Sequence, residues 1–228
     1  TKKTKAIIPV HMLGVSVEVD KILKIARKNR IPVIDDNCEA LGAKWGNKKL
    51  GSHADMCTWS FDNGKTITTG EGGMITTNNK KYYDLCKEYK DHGHQNNPKY
   101  PRGLDTHRIY GFNYRITEIQ AALGLSQLKK LSSIIKNNKD NYKIIYNKIS
   151  KIKKISFRKI PIKCNPLFDC LIFYLPNKNL ANKFDKMLKA KKINTKNLPS
   201  AINWHFAKHW DHIFKNFGYD KKKLTKKF

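Results

Sequence analysis

No run in this 228-residue chain approaches the about 18 consecutive apolar residues of a membrane-spanning helix. The opening residues Thr1-Lys-Lys-Thr-Lys-Ala-Ile-Ile also lack the apolar centre of a secretory signal. These two absences predict a cytoplasmic protein with no membrane partner. Thr1 stands where an initiator methionine would, which points to a natural start further upstream. Cysteine is scarce and ungrouped: Cys38, Cys57, Cys86, Cys164 and Cys170 are odd in number and show no C-x-x-C spacing. That pattern argues against a disulfide framework and against a zinc site, and fits reduced thiols. Acidic residues are few, 18 against 46 basic ones, for a formal charge of +28. A charge of that size ordinarily suggests a polyanion, and a basic nucleic-acid-binding protein is the reading that charge alone supports. Arginine is scarce too, however, at six of the 46 basic residues. Nucleic-acid recognition favours arginine forks with aromatics interleaved on one face. Here lysines alternate with Asn and Ile, as between Lys136 and Lys148, so the charge reads as solvated lysine with no specific nucleic-acid partner.

What is present is enough for a packed core, with 39% hydrophobic residues. The first half alternates strand-like and helix-like segments. Ala6 to His11 reads as a buried strand, Val17 to Asn29 has apolar residues at helical spacing, and Ile31-Pro-Val-Ile-Asp35-Asp36 is an apolar run ending in two carboxylates. A β-α-β unit of this kind builds a parallel sheet, and ligands bind beyond the carboxyl ends of its strands, where Asp36 would lie. Met56 to Phe61 and Met74 to Thr77 are further strand candidates, and Lys80 to Lys90 reads as a helix. The polar, Gly- and Pro-rich stretch from Asp91 to Gly111 predicts a long loop, a frequent carrier of function. Apolar spacing from Ile116 to Ile149 predicts one or two long helices. Strands are expected at Phe157 to Lys163, Phe168 to Leu175 and Lys192 to Thr195, with a helix over Leu180 to Lys191. The expected division is 1–140, part of a large ligand-binding domain, and 141–228, a smaller α+β domain, with the boundary inside the long helix.

Between the candidate strands lies Trp59-Ser-Phe-Asp-Asn-Gly-Lys65-Thr-Ile-Thr-Thr-Gly70-Glu-Gly-Gly73. A lysine among glycines is by itself more often a solvated loop residue. A strand running into a serine, a lysine five residues later and a glycine turn into another strand would also hold an amine at the mouth of a sheet, ready to attack an aldehyde.

The ordered set Asp36-Asn-Cys-Glu39-Ala-Leu-Gly42-Ala, Gly51, Asp55, Ser60-Phe61, Lys65, Gly70-Glu-Gly-Gly73, Gly111-Phe-Asn113-Tyr-Arg115, Glu118, Gln120-Ala-Ala and Gln127-Leu128 resembles the DegT/DnrJ/EryC1/StrS family of sugar aminotransferases. The resemblance is collinear over about residues 6 to 130, far more specific than a lone glycine motif. It implies an α/β chain with the fold of type I pyridoxal-phosphate enzymes and pyridoxal 5′-phosphate as cofactor. By the same resemblance Lys65 is the Schiff-base lysine, which also shuttles the substrate proton. Asp36 is the carboxylate facing the pyridine nitrogen, where a buried negative charge keeps that nitrogen protonated. Ser60 matches a hydroxyl on the cofactor phosphate, and Asn113 an amide reaching a phosphate from a partner subunit, which implies a homodimer with a shared site. Glu39 falls where relatives place glutamine or histidine near the ring. Asp35 is left out of the site.

The loop Asp91-His-Gly-His94, Asn97-Pro98, Pro101-Arg102-Gly103, Asp105-Thr106 and Arg108, with Asn203-Trp-His205-Phe206, is similar to the branch that makes 8-amino-3,8-dideoxy-octulosonate. As cations and donors, His92, His94, Arg102, Arg108 and His205 suit an acidic keto-sugar and glutamate, the amine donor, and His205 matches a histidine near substrate in relatives; for His92 and His94 the ordering of the loop is an equal alternative. Arg115 more plausibly buttresses the helix start. A nucleotide-linked amino sugar is the other substrate in view. A dehydratase of the same family is a rival that retention of Lys65 argues against, since such enzymes replace the lysine. Members of the family also carry a further segment before Lys5 with a phosphate-binding turn, and no counterpart is found here. The resemblance therefore implies an N-terminally truncated enzyme, with 228 residues not expected to be active alone.

Overall fold

The computed structural model describes residues 1–197 and 206–222, and they form two compact units. One comprises residues 1–151 and 158–172, the other 152–157 and 173–228. In the first unit a helix α1 (Val19–Lys28) precedes strand β1 (Ile34–Asp36). A hairpin of two short strands follows, β2 (Lys44–Trp45) and β3 (Lys48–Lys49), then β4 (Met56–Ser60), β5 (Gly73–Thr76) and helix α2 (Lys80–Tyr89). The main sheet has the order β1-β4-β5, with β1 and β4 parallel and β5 antiparallel to β4. Two parallel bridges, Ile7 to Val33 and Val10 to Asp36, extend it past β1. The Ala6 to His11 segment is thus extended and sheet-bound, but it is buried on one face only: Pro9 and His11 are buried, while Ile8 is 62% and Val10 46% exposed.

A long helix α3 (Glu118–Ile149) runs unbroken for 32 residues. It starts at a capping box, in which the Thr117 hydroxyl accepts from the Gln120 N–H at 3.3 Å and Gln120 Oε1 accepts from the Thr117 N–H at 3.0 Å. After it come β6 (Ser156–Phe157), β7 (Cys164–Asn165), β8 (Phe173–Tyr174), α4 (Lys178–Ala190) and α5 (Asp211–Asn216). Strand β7 returns to pair with β2, whereas β6 and β8 pair within the second unit. The strands expected over Phe157 to Lys163 and Phe168 to Leu175 shrink to these two-residue pairings, and Lys192 to Thr195 is irregular.

The core of the first unit is Val19, Ala40, Ala43, Trp45, Leu50 and Leu167, with Ile135 of α3 packed against it. Close approach is made possible by glycine. A Cβ on Gly42 would lie 2.4 Å from Ile135 Cδ1, and φ there is +101°. Likewise a Cβ on Gly14 would lie 2.7 Å from that of Leu167, so the 158–172 segment seats directly on the Met12–Gly14 turn. All five cysteines are free thiols. Among the described residues no helix is long and apolar enough to cross a membrane.

Candidate active site

Asp36 ends β1 and Ser60 ends β4, on the same edge of the parallel pair, because the register sets Asp36 opposite Thr58 and Ser60 lies two residues further on the same face. The backbone of Asp36 is fixed from the neighbouring segment: its N–H donates to Pro9 C=O at 2.9 Å, and its C=O accepts from His11 N–H at 3.0 Å. Its Oδ1 accepts from the Cys38 N–H at 3.0 Å. The Cys38 thiol is pushed up to about 11, first by burial and also by Asp36, while Lys65 acts in the opposite sense.

Lys65 is carried on a closed loop between β4 and β5. Asp62 starts it, its Oδ1 accepting from Gly64 N–H at 2.6 Å and its C=O from Lys65 N–H at 3.1 Å. Phe61 closes it, donating to Gly72 C=O and accepting from Thr69 N–H, both at 2.9 Å. Gly70, at φ +81°, makes the turn. Gln120 of α3 holds the far side by donating to Glu71 C=O at 2.8 Å. The amine at the end of Lys65 lies 3.9 Å from Glu39 Oε1, and Glu39 Oε2 accepts from the Leu13 N–H at 2.9 Å.

One neighbour escapes sequence reading. Asp169 follows Phe168, which sits at φ +61°, and its Oδ1 lies 3.0 Å from the Cβ position of Gly14. Burial raises its carboxyl above the ordinary range, and the charge of Glu39 adds to that shift. Asp169 and Glu39 therefore set two carboxylates around the Leu13–Gly14 turn. The only advance signal was a lone acidic residue in an apolar run, which carries no motif.

His92, His94, Arg102, Arg108 and Asn113 lie in the segment between α2 and α3, where the two arginines bond to nearby carboxylates. Asp91 is buried, and its carboxylate accepts from both terminal nitrogens of Arg102, at 3.0 and 2.6 Å, and from Arg115 Nη1 at 2.5 Å. Glu88, also buried, accepts from Arg108 Nε at 3.2 Å and Nη2 at 2.6 Å. Arg102 and Arg108, expected as cations for a substrate, thus spend their forks on internal carboxylates. His94 Nδ1 lies 3.3 Å from Asp105 Oδ2, and its ring is 4.3 Å from that of His107, while His92 is exposed at φ +56°. Asn113 is exposed too, on a ribbon bridged to Asp91. His205 lies outside the described residues.

A primary amine, a carboxylate and a hydroxyl at the carboxyl ends of adjacent parallel strands fit the aldehyde, the ring nitrogen and the phosphate of pyridoxal phosphate. Together with the glycine-turned lysine loop, they define an α/β chain of the type I pyridoxal-phosphate fold. The DegT/DnrJ/EryC1/StrS aminotransferase family matches residues 1–219, and the chain belongs to that family. It is 40% identical over 159 residues to the GDP-perosamine synthase of Escherichia coli O157:H7, covering 68% of this chain and 42% of that protein. A UDP-4-amino-4,6-dideoxy-N-acetyl-beta-L-altrosamine transaminase of Campylobacter jejuni is 37% identical over 177 residues, covering 72% of this chain and 46% of that one. In three dimensions the chain is similar to an E. coli GDP-4-keto-6-deoxy-D-mannose-3-dehydratase solved with bound hydrated PLP, at a TM-score of 0.81 and 25% identity, covering 96% of this chain and 59% of that one. The chain thus spans less than half the length of the curated relatives it matches. Pyridoxal phosphate is the cofactor that this membership carries.

Proposed function

We propose that this chain carries the lysine-bearing part of a pyridoxal-phosphate-dependent aminotransferase that moves an amino group from glutamate to a keto-sugar destined for a cell-surface polysaccharide. The observation that supports it most is the placement of Asp36 and Ser60 at the carboxyl ends of adjacent parallel strands, with Lys65 on the closed loop that follows Ser60. Pyridoxal phosphate, when bound, supplies an electron-accepting ring that stabilises negative charge on the carbon losing its proton. The side chains do the rest. Lys65 holds the cofactor aldehyde through Nζ and carries the proton at that atom, with Glu39 beside it orienting the amine. Asp36 accepts from the ring nitrogen, and Ser60 donates to the phosphate. We assign residues 1–140 to the large cofactor-binding domain and 141–228 to the small one, with 158–172 returning to pack on the large domain.

For the sugar, a nucleotide-linked keto-sugar is favoured over an acidic octulosonate. Arg102, Arg108 and Arg115 are tied to Asp91 and Glu88, so their guanidinium groups are spent on internal carboxylates and not left for a sugar carboxylate. The relatives named above for nucleotide sugars agree with that choice. We further propose a homodimer in which Asn113 of one copy completes the phosphate site of the other. Around Asn113, Tyr110, Phe112 and Tyr114 are exposed and pack edge-on or stacked with one another and Tyr89, an apolar patch suited to a second copy.

The test is a spectrum. Parent chain and Lys65→Ala are mixed with pyridoxal phosphate and dialysed. A retained band in the parent that is absent from the variant supports the reading, and identical spectra overturn it.

A further inference from the structure

The ribbon that presents Asn113 is built around one carboxylate. Asp91 is the residue directly bridged to Asn113, and the flanking pairs continue the ladder: His92 N–H donates to Phe112 C=O at 3.0 Å, and Tyr114 N–H donates to Lys90 C=O at 2.9 Å. Two glycines let the strands touch, since a Cβ on Gly93 would lie 2.0 Å from Ile109 O and one on Gly111 would lie 2.5 Å from Gly93 N. The Asp91 carboxylate then grips the loop on both sides of Asn113 in sequence, through Arg102 and Arg115. Arg115 N–H lies 3.5 Å from Asn113 Oδ1, so the residue clamped by Asp91 also touches the amide it would aim.

We propose that Asp91 is a positioning residue, whose paired arginines fix the ribbon so that Asn113 is presented to the lysine site of a second copy of this chain. The inference rests on the reading of Asn113 given under Proposed function. It assigns the Arg102 and Arg115 guanidinium groups to this clamp and leaves none of their paired nitrogens for substrate. The arrangement withstands acid, because the two arginines hold the Asp91 carboxyl far below the usual carboxylate range.

The experiment uses mixed copies. A site formed from Lys65→Ala and Asn113→Ala chains takes its lysine from the second chain and its amide from the first. Asp91→Asn placed in the Lys65→Ala chain, which supplies the amide, should cut retained pyridoxal phosphate by about tenfold or more. Placed in the Asn113→Ala chain, it should change retention by less than about twofold, since that chain's ribbon is already idle. Equal losses in both placements, or no recovery of cofactor on mixing the single variants, overturn the proposal. Independently of cofactor, the side-chain amide of Asn113 should give a dispersed NMR pair in the parent that moves to the random-coil position in Asp91→Asn. An unmoved pair overturns the proposal even where the cofactor reading stands. If the Lys65→Ala spectrum instead matches the parent, the cofactor reading fails alone and the amide spectrum still decides. Should Asp91→Asn not fold, Arg115→Gln, which removes one arm of the clamp, carries the same two expectations.

Discussion

Glu39 stands between Leu13 and Lys65, accepting the backbone N–H of the first at 2.9 Å and lying 3.9 Å from the amine of the second. The lysine is thereby tied to a turn in which Leu13 itself occupies left-handed space, at φ +54°. Glu39→Gln keeps an oxygen for the Leu13 N–H, whereas Glu39→Ala strands it. We expect the alanine variant to lose about 1 kcal/mol more than the glutamine variant in urea unfolding. Equal midpoints would show that the Leu13 bond contributes nothing.

Glycine positions separate steric need from backbone need. Gly42 has φ +101° and a Cβ there would press on Ile135, while Gly46 has φ +59° with nothing within 4 Å. Gly46→Ala should cost about 1 kcal/mol, from the left-handed conformation alone. Gly42→Ala adds overpacking and should cost about 2 to 4 kcal/mol in total. Denaturant curves of the two variants check the order, and a Gly46→Ala cost equal to that of Gly42→Ala would refute it.

The capping box of α3 provides a measurable helix start. Thr117→Ala removes the acceptor for the Gln120 N–H and should destabilise the chain by about 1 kcal/mol, with Thr117→Ser retaining most of the stability. Hydrogen exchange at the first turn of α3 would report the same change locally.

Thiols set an alkaline limit. Burial pushes Cys38 up to about 11 and Cys57 and Cys170 up to about 12, against an ordinary 9.0. The folded chain keeps protons that the unfolded chain releases, so this stability is complete below pH 9.0 and declines as pH climbs from there towards the folded values. Thermal melting followed from pH 8 to pH 11 should fall, and Cys57→Ala should flatten the fall. In the native chain at pH 8, Cys38 should react with a disulfide reagent at about a hundredth of the rate of an unfolded thiol.

Much of the candidate site is legible in the sequence because its parts are local. Asp36 closes an apolar run and Lys65 sits among glycines a fixed distance after Ser60, and the sheet simply brings those strand ends side by side. Strand β4 and helices α2 and α3 were legible for the same reason, being long enough to show a period. The β2–β3 hairpin was not, since two-residue strands have no period, although Gly46-Asn47 is a turn signal. The arginines failed differently. Sequence shows their charge but not their partners, and Asp91 and Glu88 reach Arg102, Arg108 and Arg115 only once the ribbon has folded. Ala6 to His11 is half as its sequence suggests: apolar residues predict burial throughout, yet the sheet reaches them only through isolated bridges and leaves Ile8 and Val10 exposed.

Among the described residues strand β5 has β4 on one side, stands last in its sheet and leaves Met74 and Ile75 about half exposed on its two faces. An extended segment of that kind is a template on which other extended peptides grow. Concentrated solutions of this chain should therefore thicken into fibrous aggregate from this edge, and a lysine in place of Ile75 should keep them clear.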